Sequence, residues 1–356
     1  MSDYVSFCPY TIGEDAYDAI PSVCKKLGSK MLLIGGKTAM EKALPSFLKA
    51  IEGSGLEIVA TRWHGGECTF ARINELTEEA QTLDLDFIVG MGGGKALDTA
   101  KGVANNLGLP VITVPTIAAT CAATSALSVV YHADHTHDRT VLFKAPPTHC
   151  FINTKILAEA PDRYLRAGMG DTIAKHFECC FASRGDDLPH SSALGREISA
   201  LCYRPLLSRG KQALDDCKND ITSDALREAV LANVVTTGLV SLLVEDRYNG
   251  AVAHSVCYGL SLLPQVEKNF LHGDIVAYGI LVQLMLDNNR EDALVLRDFL
   301  RSLGTPVTLA DFGVEDDDAL LKPVVEKALT SNDMDYLPYP VSFDMLRAAI
   351  SATEAL

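Results

Sequence analysis

Apolar and polar residues follow two different periods along the chain. In the first 155 residues, short apolar runs alternate with stretches of helical spacing. "KMLLIGG" (30–36), "LEIVATRW" (56–63), "DFIVGMGGG" (86–94) and "LPVITVP" (109–115) read as strands. Between them, "TAMEKALPSFLKAIEG", "RINELTEEAQTL" and "KALDTAKGVANNLG" read as helices. In the last of these, Leu97, Ala100, Ala104 and Leu107 form one stripe. Strands alternating with helices predict a parallel sheet covered on both faces. The segment 125–153 is β-rich but split by a polar turn, which predicts an added β-hairpin. After about residue 155 the β-branched runs stop. Helical spacing takes over at 161–184, 188–216, 222–245, 247–263, 271–288, 291–303 and 342–354. The change of period predicts two domains, 1–155 and 156–356.

Composition narrows the function. The 356 residues are 48% hydrophobic and 22% charged, as in ordinary globular chains, and the net charge is −15. A surface this acidic repels nucleic-acid phosphates and anionic lipid, so neither nucleic acid nor membrane is an expected partner. No unbroken apolar stretch reaches the roughly 18 residues of a membrane span. The first residues lack a basic-then-apolar leader, which leaves a cytoplasmic protein as the expectation. Ten scattered cysteines without a CxxC pair read as reduced, mostly buried residues.

"DFIVGMGGGKALDTAK" sets Gly90, Gly92, Gly93 and Gly94 between a strand and a helix. Glycines there let backbone N–H groups approach a phosphate, and the helix N-terminus adds partial positive charge. It is not a P-loop, because Ala96 follows Lys95 where Ser or Thr is required. Nor does an acidic residue follow at Rossmann spacing.

Five ordered segments, "GMGGGKALDTAKGVA", "VPTIAATCAATSALSVVY", "AGMGDTIAKHFE", "AVAHSVCYGL" and "FLHGDIVAYG", resemble the glycerol dehydrogenase branch of the metal-dependent, or iron-containing, alcohol dehydrogenases over nearly the whole chain. The resemblance implies an α/β N-terminal Rossmann-like dinucleotide-binding domain plus an all-α C-terminal metal-binding domain. It places the catalytic site in the cleft between them. It implies that Gly93, Gly94, Lys95 and Asp98 hold the cofactor pyrophosphate. Thr116 and Ala119 would line the cofactor, and Ser125, Leu127 and Tyr131 would flank the nicotinamide. Homo-oligomers are common in that family, so a homo-oligomer acting on a small-molecule substrate is expected.

By the same resemblance, Asp171, near the start of a helix, joins His254 and His272 as ligands of one divalent metal. The two histidines begin the arms of a helical hairpin. Three protein ligands leave positions open for a substrate oxygen, as catalytic sites require. One carboxylate and two imidazoles suit zinc or ferrous iron, and the resemblance favours zinc. A bound metal there would polarise the substrate oxygen for hydride exchange with the nicotinamide. A second histidine group, His132, His135 and His137, reads as a solvated hairpin tip.

Three departures bear on specificity. Cys121 stands where glycerol dehydrogenases typically carry Asp facing the polyol. Lys175 lies four residues beyond Asp171, and Arg247 seven before His254; either could bind a substrate carboxylate or be held in an ion pair with Glu178, Glu245 or Asp246. "PTIAATCAA", "GDTxAK", the "DR" before the histidine helix and "LPQxEKxxLHGxxVAYGILVQ" resemble a narrower group, the hydroxycarboxylate dehydrogenases. These features make reduction of a 2-oxo acid the leading expectation and glycerol or vicinal-diol oxidation the alternative. A dehydroquinate synthase-like lyase and an inactive cofactor-binding sensor are minor rivals. Finally, Lys37 follows Gly35-Gly36 where NAD-specific members place an acid, so NADP(H) is favoured over NAD(H).

Overall fold

The computed structural model describes residues 5–134 and 136–356, with backbone alone at His137. Two compact units emerge. One runs to Pro161 and includes Asp216–Ser223; the other comprises Asp162–Asp215 and Asp224–Leu356.

The first unit is built on a six-stranded sheet in the order β1-β8-β5-β4-β2-β3. Its strands are β1 (Tyr10–Gly13), β2 (Lys30–Gly35), β3 (Glu57–Trp63), β4 (Phe87–Gly92), β5 (Val111–Pro115) and β8 (His149–Asn153). All five pairings are parallel. The connecting helices are α1 (Ile20–Cys24), α2 (Lys37–Ile51), α3 (Phe70–Ala80) and α4 (Gly94–Leu107), followed after β8 by α5 (Thr154–Ala158). Strand period two explains the two cores. Met31, Leu33 and Val89 point to one face and pack with Tyr17 and Phe47. Leu32, Ile34 and Ile88 point to the other and pack with Ile73, Leu76 and Val103.

The expected hairpin is present as β6 (Leu127–Tyr131) and β7 (His137–Leu142), paired antiparallel. Only these two strands form it. The last part of 125–153 is β8, which enters the main sheet between β1 and β5. The division of the chain also falls six residues later than the change of period. Asn153 caps α5, its side chain accepting from the Lys155 and Ile156 amides at 3.0 and 3.2 Å, and α5 stays with the sheet. Cys217 returns to it, donating to the carbonyls of Ala158 and Ala160 at 3.5 Å.

The second unit is helical: α6 (Asp162–Ala182), α7 (His190–Ile198), α8 (Arg204–Lys218, its last turn counted with the sheet unit), α9 (Asp224–Val230), α10 (Thr237–Leu243), α11 (Val252–Leu260), α12 (Pro264–Asn269), α13 (His272–Leu286), α14 (Arg290–Leu303), α15 (Asp318–Leu329) and α16 (Phe343–Glu354). A π-helical turn, Leu231–Thr236, joins α9 to α10. The joined run Asp224–Leu243 is long and apolar enough to cross a membrane, with mean hydropathy 1.4, and 61% of it is buried. The sequence reading, which required an unbroken apolar stretch, does not find it. Within the unit this run packs on α6: Thr237 Oγ1 donates to Thr172 Oγ1 at 3.2 Å, and the Asn233 amide donates to the Leu165 carbonyl at 3.4 Å.

Candidate metal centre and glycine turn

The helical unit brings Asp171, His254 and His272 together, with one ligand atom from each lying within 4.8 Å of the others. His254 Nε2 is 3.4 Å and His272 Nε2 is 3.9 Å from Asp171 Oδ1. Among the described residues it is the one such trio of His, Cys, Asp or Glu. His135, in the rival group, lies outside the described residues.

Helix α6 organises this site. Asp171 is its tenth residue, in the middle rather than near the start, where the neighbouring glycines suggest a turn. Those glycines serve packing instead. A Cβ on Gly273 would overlap the Ala167 carbonyl, so α6 and α13 approach with backbone against backbone. Five residues before Asp171, Arg166 makes a two-pronged ion pair with buried Asp274 at 3.0 and 3.0 Å. Asp274 Oδ2 also accepts from the Leu271 amide at 3.3 Å, closing the first turn of α13. That turn begins with His272. His254 is the third residue of α11, which packs closely on α13: a Cβ on Gly279 would overlap the Ala253 carbonyl. Between the two lies α12, so the expected hairpin has a short helix in its connection.

Seven residues beyond Asp171, and so on the same helix face, Glu178 is fully buried. Its carboxylate accepts from His254 Nδ1 at 2.5 Å, the Ala251 amide at 2.8 Å and the His254 amide at 2.9 Å. The sequence names Glu178 only as an ion-pair option for Lys175 or Arg247. Its i+7 relation to Asp171 is the signal that could have found it.

Electrostatics favour a cation at this centre. Burial alone would depress the His254 pKa, but the Glu178 and Asp171 carboxylates outweigh it and raise it to about 10. Burial likewise opposes ionisation of Asp171, yet His254 and His272 hold it below the usual carboxylate range. Asp333 is a further acid nearby, its pKa raised by burial: a Cβ on Gly250, at the approach to α11, would stand 2.8 Å from its carboxyl carbon. Two ionised carboxylates, Asp171 and Glu178, beside two imidazoles suit a divalent cation, and the donor set of two nitrogens and one oxygen fits zinc or ferrous iron.

The two basic residues, expected either at a substrate carboxylate or in an ion pair, are both engaged by the chain, Arg247 in the expected pair with Glu245. Lys175 does share the helix with Asp171, but its buried ammonium donates to the Asn249 carbonyl at 2.6 Å and to Asn249 Oδ1 at 3.2 Å. Arg247 is not on the His254 helix. Asn249 and Gly250 separate the short turn Asp246–Tyr248 from α11. Its 40% exposed guanidinium pairs with Glu245 at 2.8 Å and Asp186 at 3.8 Å, over the Tyr248 ring.

In the sheet unit, three adjacent strand ends gather most of the expected nucleotide-binding residues. The Gly36 amide, just before Lys37, donates to the Met91 carbonyl at 3.1 Å, and the Thr116 amide donates to the Gly92 carbonyl at 3.1 Å. Gly92 has φ of +149°, which favours glycine, and a Cβ there would stand 2.9 Å from Ala96 Cβ. At Gly93 a Cβ would stand 2.6 Å from Ile117 Cδ1, and at Gly94 3.3 Å from Thr120 Oγ1, so the turn nests against the loop that carries Ala119. Gly93 caps α4 without a side chain, leaving the first amides of a 14-residue helix for an anion. Lys95 reaches Glu67 at 2.5 Å and lies 5.4 Å from the Tyr131 ring centre. Lys37 lies 4.3 Å from the Trp63 ring centre. Cys121 is half-buried, and its carbonyl accepts from the Thr124 and Ser125 amides at 2.9 and 3.1 Å.

Asp98, expected at the pyrophosphate, is buried, pairs with Lys101 at 2.8 Å and accepts from the Val129 amide at 3.1 Å. Lys101, which the sequence reading misses, also donates to the carbonyls of Ser125 and Leu127, so this pair fastens the expected nicotinamide-flanking segment.

An α/β unit with a glycine turn and a helical unit with an Asp–His–His trio define the dehydrogenase architecture that the sequence resembles. The model of the iron-containing alcohol dehydrogenase family matches residues 9–153. A glycerol dehydrogenase from Escherichia coli is 33% identical over 349 residues, covering 96% of this chain and 93% of its own. Hydroxycarboxylate dehydrogenase A from Escherichia coli is 35% identical over 330 residues, covering 92% and 90%. The crystal structure of a probable glycerol dehydrogenase from Sinorhizobium meliloti superposes with a TM-score of 0.86 at 28% identity, covering 99% of this chain and 98% of its own. The chain belongs to the iron-containing alcohol dehydrogenase family, in its glycerol dehydrogenase-like branch. It is an oxidoreductase that acts on CH–OH groups.

Proposed function

We propose that this enzyme oxidises a small vicinal diol, with glycerol going to dihydroxyacetone as the leading case. Its hydride acceptor is a nicotinamide cofactor, and its divalent metal is held by Asp171, His254 and His272. This reverses the order of the two expectations drawn from the sequence, where the 2-oxo acid stood first. The observation that carries it is the engagement of both cations expected to meet a carboxylate: Lys175 is held by Asn249, and Arg247 by Glu245 and Asp186. A neutral polyol needs no such cation. The names borne by the similar proteins, glycerol dehydrogenases for the most part, support the same order.

When bound, the metal supplies Lewis acidity that lowers the pKa of the substrate hydroxyl. The chain's own part is positioning. α6 and α13 fix Asp171 and His272, and Glu178 fixes His254. The glycine turn and the first amides of α4 bind the cofactor pyrophosphate, while Ser125, Leu127 and Tyr131 bound the nicotinamide. Lys37, with no carboxylate in its place, favours the 2′-phosphate of NADP(H). Zinc is the preferred metal and iron the alternative.

Absorbance at 340 nm tests the reading. Glycerol and 1,2-diols with NADP⁺ or NAD⁺ are expected to give turnover, and 2-oxo acids with the reduced cofactors much less. Strong reduction of a 2-oxo acid with no polyol oxidation would restore the second reading, which the resemblance to hydroxycarboxylate dehydrogenase A and the thiol at Cys121 favour.

A further inference from the structure

We infer that Glu178 is a positioning residue for His254: one buried carboxylate both starts helix α11 and selects which imidazole nitrogen faces Asp171. The inference rests on the metal reading of the trio.

Helix α11 has no cap of its own. Its N-cap is Ala251, whose methyl group accepts no hydrogen bond. The orphan amides of a helix start need an acceptor. Glu178 supplies it from another helix, taking the His254 amide, at the third helical position, and the Ala251 amide before it. A negative charge at a helix N-terminus is also favourable. So the backbone that carries His254 is set by the same group that meets its ring.

The other Glu178 oxygen meets Nδ1 at 2.5 Å. An ionised carboxylate only accepts, so Nδ1 carries the proton in this bond. That leaves Nε2, which lies 3.4 Å from Asp171 Oδ1, as the nitrogen that would face a metal, the cation taking the place of a proton there. His272 is held differently. Its Nδ1 lies 3.4 Å from the Cys257 sulfur, a weaker partner than a carboxylate, and its side chain is 47% exposed against 14% for His254. The two imidazoles therefore have unequal surroundings, and only His254 meets a buried carboxylate.

The test is metal binding, read apart from turnover. Metal-stripped parent, Glu178→Gln, Glu178→Asp and Asp171→Asn proteins are titrated with Zn²⁺ by calorimetry, and their Co²⁺ forms are compared by visible absorption. In Glu178→Gln the new side chain keeps the length and one oxygen for the backbone amides, but its NH₂ cannot accept from Nδ1–H. This variant is expected to weaken Zn²⁺ binding by about 10–100-fold and to shift the Co²⁺ bands. The thermal midpoint of its metal-free form should stay close to that of the parent. Glu178→Asp keeps the acceptor on a shorter stem and is expected to recover part of the affinity. If Glu178→Gln does not fold, Glu178→Asp carries the test, with weakened affinity and shifted bands expected. Affinity within about twofold of the parent and unchanged Co²⁺ bands in the folded variant would overturn the inference, leaving Glu178 a packing residue. The metal reading fails separately: a parent that takes up no metal, or an Asp171→Asn variant that binds it as tightly, removes the trio as a metal site and the positioning role with it.

Discussion

Gly170 and Gly273 meet where α6 crosses α13: a Cβ on Gly170 would overlap the Gly273 carbonyl oxygen and stand 2.9 Å from Ala277 Cβ. Neither backbone can retreat without moving the Asp171 helix away from the His272 helix. Gly170→Ala and Gly273→Ala are each expected to cost about 1–3 kcal/mol through overpacking. They should also weaken metal binding, because Asp171 and His272 are the neighbours of the strained crossing. Thermal unfolding of metal-free protein measures the first effect, and Zn²⁺ titration the second. Full metal affinity in a destabilised Gly170→Ala protein would show that the crossing does not set the ligand geometry.

Removing a ligand is a sharper change. Asp171→Asn and His254→Ala are expected to lose metal affinity by at least the roughly hundredfold upper range seen for outer partners of metal ligands. Turnover should fall with bound metal, which elemental analysis after gel filtration reports. Chelation of the parent protein should reproduce the loss, and added Zn²⁺ or Fe²⁺ should reverse it.

Lys101 and Asp98 form a buried pair, so breaking one side leaves a charge with no compensation. Lys101→Met is expected to cost about 3–5 kcal/mol. The double variant Asp98→Asn/Lys101→Met should recover much of it. Chemical denaturation of the parent, both single variants and the double variant gives the coupling energy. Because Lys101 also donates to Ser125 and Leu127, cofactor affinity should drop in both proteins that lack it.

Lys37 decides between cofactors under the present proposal. Lys37→Asp should shift kcat/KM from NADP(H) toward NAD(H) by about tenfold or more, equivalent to roughly 1.4 kcal/mol. An unchanged ratio would leave the preference to some other group.

His176 gives a pH dependence. Burial lowers its pKa in the folded protein from the usual 6.5, and Ser199 Oγ sits 2.8 Å from its Nδ1. The unfolded chain therefore binds more protons in the window just below 6.5, and stability falls as pH drops through it. A single such group contributes at most about 1.4 kcal/mol per pH unit. His176→Gln should flatten the decline, as measured by urea unfolding from neutral pH down to about 5.

The sheet unit is legible in the sequence because period-two and period-3.6 runs alternate cleanly between residues 30 and 115. The trio is legible through ordered motifs, since Asp171 and His254 are 83 residues apart and no local pattern joins them. What escapes is tertiary. Glu178 acts on a backbone start 73 residues away; its helix face, shared with Asp171, is legible, but the α11 amides it meets are not. Asp98 reads as part of the glycine turn but is engaged by the β6 backbone, accepting from the Val129 amide. Extending the His254 helix backward to Arg247 fails at Asn249-Gly250, which ends it. α15, which carries Pro323 inside it, goes unseen.

Arg166, Asp171, Lys175 and Glu178 all act from one unbroken helix, and each meets a different partner segment. An α-helix turns about 100° per residue. Inserting or deleting a single residue within 166–178 would therefore swing some of these groups through more than a quarter of a circle while leaving the others in place. Length in this stretch of α6 should be as closely constrained as identity: substitutions can be absorbed one at a time, whereas a one-residue change of length would dismantle every fastening beyond it at once.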